Sequence, residues 1–152
     1  MSPSLGFLLD TNVVLHATRE NSPVASAMES QFQLRTSPFQ PAICEVTVAE
    51  LWAFAQSWGD RRKQLLQQVI SNLVVVPISD SRIHHRWAEL HSHAQANGLA
   101  IQHDDNDIWI GATAGVTGLR LLTMDGRGFL PLRGTSWLDV VVLNPKTAII
   151  VP

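Results

Sequence analysis

Short apolar runs alternate with longer stretches of helical spacing along the whole chain. Residues 5–9 form an apolar run of strand type, and 11–19 and 23–34 carry the apolar spacing of helices. The second of these opens on Ser22-Pro23, a capping residue followed by proline in the first turn. Pro38 and Pro41 punctuate a loop. A short strand is predicted over 42–45, a helix over 47–58, and another over 61–72 with Asp60 placed to cap it. The β-branched run 73–76 predicts a third strand, ended by Pro77. Ser79 or Asp80 caps a helix that reaches the stop at Asn97-Gly98. Residues 106–117 predict a helix ended by Gly118, with strand-like runs over 119–123 and 137–143. Asn144-Pro145 is a turn before an apolar tail, 147–151, which suits an extra edge strand or part of a partner surface.

Strands separated by helices imply parallel strands joined by right-handed crossovers. The pattern therefore predicts an α/β fold, a three-layer α/β/α sandwich around a mainly parallel sheet, forming a single domain over 1–152. In such sheets ligands bind beyond the carboxyl ends of the strands.

Composition narrows the partners. The net charge of -2 lacks the strongly basic balance of an extensive duplex-DNA reader, while leaving room for an enzyme that grips a few phosphates through metal ions. Cys44 is the only cysteine, so no internal disulfide is possible, and it suits a small buried hydrophobe. No apolar stretch approaches the roughly 20 residues that span a bilayer. The first residues lack a basic and then apolar leader, so no membrane association and cytoplasmic residence are expected.

Four carboxylates stand in apolar company at strand exits or helix starts: Asp10, Glu50, Asp107 and Asp125. Each has a local explanation. Asp10 can cap the helix that follows it. Thr47 and Glu50 fit a capping box. Asp107 falls in a first turn, where the helix dipole favours an acid. Asp125-Gly126 is a turn dipeptide. Chain direction, however, sends all four to the same carboxyl edge of a parallel sheet. Carboxylates gathered in one cleft repel one another unless cations lie among them. An all-oxygen set without His or Cys selects hard ions such as Mg²⁺ or Mn²⁺.

The runs LLDTNVVL, TVAEL, NDIWIGATAG and LLTMDGRGF, in this order and at these separations, resemble the PIN-domain ribonucleases, and in length the small toxins of the VapC type. The resemblance extends from about Leu5 to Leu143. It implies Mg²⁺- or Mn²⁺-dependent endonucleolytic cleavage of RNA, with Asp10 as central metal ligand, Asp107 and Asp125 beside it, and Glu50 holding a second ion or orienting water. Thr11, Asn12 and Thr123 match residues that position that site, and Arg127 is a candidate for substrate backbone contact. It further implies a homodimer restrained by a cognate antitoxin protein whose extended tail enters the acidic cleft. One departure stands out: family members often carry a further acid just before the Phe of the fourth motif, where this chain has Gly128. Asp104 and Asp105 add charge before the third motif and suit caps or loop positions.

Two rival readings come from other classes. An aspartyl-phosphate phosphatase built on Asp10 needs a second Asp two residues on, where Asn12 stands. A degenerate PIN-like domain would bind RNA or protein without cutting. Elsewhere, His85, Glu89 and His93 recur at one-turn spacing, yet Ile83, Trp87, Leu90 and Ala94 form the apolar stripe, so the histidines suit a solvated face. Arg61-Arg62-Lys63 is a solvated basic run or a phosphate contact. Trp52, Trp58, Trp87 and Trp109 suit packing.

Overall fold

The structure is a computed structural model that describes residues 6–19, 21–35 and 40–152. Five parallel strands, β1 (Phe7–Leu9), β2 (Ala42–Cys44), β3 (Val74–Val76), β4 (Arg120–Thr123) and β5 (Val140–Val142), form one sheet in the order β3-β2-β1-β4-β5. Seven helices flank it among the described residues: α1 (Thr11–Ala17), α2 (Pro23–Phe32), α3 (Glu45–Ala55), α4 (Asp60–Ser71), α5 (Ser81–Ala96), α6 (Asp105–Thr117) and α7 (Gly126–Phe129). The three-layer parallel arrangement expected from the alternation of runs is the one found. Pro38 lies outside the described residues.

Successive strand residues point to opposite faces, and both faces are covered. Leu8, Cys44 and Leu121 pack with Leu90, Ile108 and Phe129 from one layer. Leu9, Ile43 and Leu122 pack with Met28, Leu51 and Leu66 from the other. Each fully buried Leu, Ile or Phe contributes about 1.5–3 kcal/mol relative to exposure. Strands that are apolar on both faces explain why they appear in the sequence as unbroken runs. β1 is central, paired with β2 on one side and with β4 on the other through Phe7–Arg120, Leu8–Leu121 and Leu9–Leu122. The exits of β1 and β4 are therefore neighbours, and Asp10 and Asp125 leave the sheet side by side.

Several boundaries differ from expectation. α3 begins at Glu45, with Cys44 at the cap position and no side-chain cap bond. Thr47 thus lies inside the helix, buried with its Oγ1 unpaired, and the Thr47–Glu50 capping box does not form. Glu45 instead anchors the start by accepting from the Ile78 amide at 2.9 Å, a contact from outside the local sequence. Asp60 is the first helical residue of α4 and Gly59 occupies the cap, so the acid acts through the helix dipole. β5 is shorter than the run 137–143 because Arg86 takes the Trp137 carbonyl at 2.9 Å and stacks 4.7 Å from its ring. The tail folds back antiparallel on β5: Leu143 bridges Ile150, and the Val151 amide donates to the Val142 carbonyl at 2.8 Å. It is a single bridge, not a full edge strand.

On α5, His85 and Glu89 are exposed while Ile83, Leu90 and Ala94 are buried, as the stripe predicts. Cys44 is buried, and burial pushes its thiol pKa up. No helix among the described residues is long and apolar enough to cross a membrane.

Candidate active site

β1 delivers Asp10 into the sheet edge at only 3% exposure. Its backbone amide continues the ladder to the Leu122 carbonyl at 2.9 Å, while its side chain turns to the start of α1. One carboxylate oxygen, Oδ1, accepts from the Thr11 amide at 2.8 Å, and Oδ2 accepts from Thr123 Oγ1 at 2.6 Å. Asp10 is therefore a helix cap and also a buried acid aimed at the strand exits. Burial pushes its pKa up to about 6; the bonds from Thr123 and Thr11 oppose the rise, and the negative charges of Glu50 and Asp125 add to it.

Thr11 and Thr123 tie the neighbouring acids to it. Thr11 Oγ1 donates to Glu50 Oε1 at 2.8 Å, which brings α3 to α1 across a sequence separation of 39. Thr123 Oγ1, besides donating to Asp10, accepts from the Asp125 amide at 2.9 Å. Asn12 Oδ1 accepts from the Met124 amide at 3.2 Å, fixing the turn between β4 and Asp125. Asp125 then caps α7 through Gly128 N to Oδ1 at 2.8 Å.

Asp107 enters from the first turn of α6, which Asp104 caps through the Asp107 amide at 3.1 Å. Its carboxyl is held proton-bearing, with a pKa pushed up to about 9 by burial first, then by the charges of Asp10 and Asp104 and by the carboxylate of Asp125, with which it also shares a hydrogen bond. Gly128 shows how closely the pair converges: a Cβ there would stand 2.7 Å from Asp125 Oδ2 and 3.4 Å from Asp107 Oδ2. The residue that lacks the family's further acid thus has no room for any side chain while these carboxylates keep their places. Sequence reasoning missed this role, because its signal lies in folded distances and not in the motif.

Asp10, Glu50, Asp107 and Asp125 are thus brought to one edge in two pairs, joined through Thr123, with Thr11 and Asn12 in the same hydrogen-bonded shell. The groups that hold them are hydroxyls and backbone amides, not cations. Arg127 is exposed on α7 and is not bonded to the acids among the described residues. The donor set is all oxygen, and burial first and neighbouring carboxylates second raise the pKa values of two of its acids, a setting that suits a hard divalent cation. Among the described residues no three His, Cys, Asp or Glu side chains already stand in metal-ligating geometry.

A pH dependence follows. In unfolded chain Asp10 and Asp107 ionise near the ordinary value of 3.8, whereas the folded protein keeps their protons to about 6 and about 9. The native state binds more protons in that window, so the contribution of these two acids to metal-free stability is fully present below about pH 4 and is lost as pH rises through 6 toward 9. Thermal melting in chelator across this range is expected to show the decline, and addition of Mg²⁺ to reduce it; melting that rises steadily with pH contradicts the pairing.

The chain matches the family model of the PIN domain over residues 7–131. It belongs to the PIN-domain family. Solved structures share the PIN fold over nearly the whole chain. VapBC2 from Rickettsia felis, bound to a DNA fragment from their promoter, superposes with a TM-score of 0.75 at 18% identity, covering 91% of this chain and 98% of that one. VapBC-5 from Mycobacterium tuberculosis, a member of the VapBC family of toxin-antitoxin systems, gives 0.62 at 27% identity, covering 93% and 100%. FitAcB from Neisseria gonorrhoeae gives 0.69 at 24%, covering 91% and 97%. No curated protein matches the sequence. The PIN match takes in all four acids, from Asp10 to Asp125, and leaves β5 and the folded-back tail beyond it.

Proposed function

We propose that this PIN-domain protein is a metal-dependent endoribonuclease of the VapC type, the toxin of a toxin–antitoxin pair. The observation that carries the reading is the convergence of Asp10, Glu50, Asp107 and Asp125 on one sheet edge through Thr11 and Thr123, with burial and mutual repulsion pushing up the pKa values of Asp10 and Asp107. Asp10, Asp107, Asp125 and Glu50 would hold Mg²⁺ or Mn²⁺, one ion or two. Such an ion lowers the pKa of a bound water and polarises a phosphodiester.

The chain's own contribution is positioning and charge. Thr123 and the Thr11 amide fix the Asp10 carboxylate, and Thr11 Oγ1 fixes Glu50 facing it. Glu50, half-buried at the rim, is the acid best placed to orient water or accept a proton. Asp107 carries a proton in the metal-free state and surrenders it when positive charge enters the cleft, so loading is coupled to proton release. Asn12 spends its amide oxygen on the Met124 amide, a fixed structural role that leaves the phosphatase reading without its second acid.

The similarity to VapBC-5, a member of a family of toxin-antitoxin systems, supports an antitoxin partner; a homodimer acting in the cytoplasm belongs to the same proposal. Cleavage of single-stranded RNA, assayed with Mg²⁺ or Mn²⁺ and abolished by chelator, tests the activity. RNA binding without cleavage under either ion would replace it with a non-cutting PIN domain. Glu50→Gln separates capping from chemistry. The bond from Thr11 survives in that variant, so melting is expected to shift by less than about 1 kcal/mol of stability while turnover drops 10²- to 10³-fold. Altered melting with preserved turnover would make Glu50 structural.

A further inference from the structure

Glycine at position 128 is not demanded by the backbone. Gly128 lies in α7 and is not among the residues with positive φ, so alanine, the better helix former, could adopt its conformation. What the glycine supplies is space. A Cβ there would stand 2.7 Å from Asp125 Oδ2, 3.2 Å from the Asp125 carboxyl carbon and 3.4 Å from Asp107 Oδ2. The first distance is shorter than real Cβ contacts reach, so something has to move. Gly126, in the same short helix, is different: a Cβ there would meet only Val142 Cγ1, at an ordinary 3.8 Å.

The backbone at 128 is held in place. Its amide donates to Asp125 Oδ1 at 2.8 Å. The next residue, Phe129, is fully buried in the core, and its amide closes α7 on the Asp125 carbonyl at 3.2 Å. Asp125 is tied as well, since its own amide donates to Thr123 Oγ1 at 2.9 Å. The group left to yield is the Asp125 carboxyl. Turning it away from a Cβ would break its bond from the Gly128 amide and the hydrogen bond that it shares with Asp107.

We propose that Gly128 is a positioning residue of the candidate metal centre: its bare Cα lets Asp107 and Asp125 close on one divalent ion, so that the missing acid at this point is a requirement of the pair and not a loss. This rests on the metal-dependent reading above. Gly128 acts through the two carboxyls, by leaving them room and by orienting Asp125 with its amide.

The test reads Mn²⁺ binding to the full chain by isothermal titration calorimetry, after chelator treatment and with no RNA present. Gly128→Ala is expected to weaken Mn²⁺ affinity about 10- to 100-fold, the usual effect of disturbing a group that orients a metal ligand. Gly126→Ala, the control in the same helix, is expected to stay within about twofold of wild type. Gly128→Asp separates space from charge. If the pair needs room, aspartate weakens binding as alanine does; affinity equal to or above wild type overturns the proposal. Wild-type affinity in Gly128→Ala overturns it too, and leaves the metal centre standing. If circular dichroism melting shows that Gly128→Ala does not fold, the double variant with Asp125→Ser decides. Serine still offers the Gly128 amide an acceptor and removes the obstructing oxygen. Recovery of folding is then the expected result, and its absence overturns the spacing role. Failure of the wild type to bind Mn²⁺ or Mg²⁺ removes the metal-dependent reading and this inference together.

Discussion

Asp10→Asn is expected to lower RNA cleavage at least about a thousandfold, roughly 4 kcal/mol of transition-state stabilisation, while the protein still folds. The argument is one of charge and place. Asp10 is the most buried of the four acids and the only one bonded to both Thr11 and Thr123. Asparagine preserves shape and the acceptor for the Thr11 amide, and removes the negative charge. Holding that charge in a buried setting raises the carboxyl from 3.8 to about 6, a cost of about 3 kcal/mol in the ionised, metal-free protein. Its removal offsets the less favourable bond to Thr123, so melting at neutral pH in chelator is expected to be unchanged or higher. The second signature is the loss of stabilisation by Mg²⁺, which in the wild type raises the melting temperature by mass action. A variant with full cleavage, or one that still gains stability from Mg²⁺ to the same extent, removes Asp10 from the centre of the site.

Thr123→Val is expected to reduce activity about 10- to 100-fold and stability by about 1–3 kcal/mol. One hydroxyl, fully buried, serves two acids: it donates to Asp10 and accepts from the Asp125 amide. Valine fills nearly the same volume but offers neither bond, leaving a buried carboxylate oxygen and a buried amide without partners. The Asp10 pKa is then expected to rise further, because the bond that opposes its desolvation is gone. Thr123→Ser keeps the hydroxyl at the cost of one methyl and is expected to recover most of the activity. A pH–rate profile distinguishes positioning from mere packing. In Thr123→Val the acidic limb moves to higher pH, whereas in Thr123→Ser it stays with the wild type. If valine and serine behave alike, the hydroxyl does not act through Asp10.

The strands were legible because both sheet faces are buried, which leaves runs such as Leu8-Leu9 and Leu121-Leu122 with no polar interruption. Their parallel order followed from the helices between them, and with it the placement of Asp10, Glu50, Asp107 and Asp125 at a single edge. The start of α3 was illegible for a physical reason. Thr47–Glu50 satisfies a local capping rule, but the Ile78 amide on Glu45 and the burial of Thr47 set the boundary two residues earlier. The start of the last strand was hidden in the same way, since nothing near Trp137 announces that Arg86, 51 residues away, will take its carbonyl. The pairing of Asp107 with Asp125 over Gly128 depends on a distance, and distances between remote acids have no signature in a linear pattern. A glycine that appeared only as a missing acid proves to occupy a position where a Cβ would strike a carboxylate.

The bond from Thr123 to Asp10 spans 113 residues, and β4 must slot in beside β1 before it can form. On a translating ribosome, the first half of the chain emerges with Asp10 and Glu50 but without the hydroxyl and the acids that complete their surroundings. A nascent chain interrupted before Thr123 would therefore carry three of the four acids, Asp10, Glu50 and Asp107, without the hydroxyl that joins Asp10 to the Asp125 turn. The four-acid arrangement is therefore completed late in synthesis, once β4 has been made and has paired with β1.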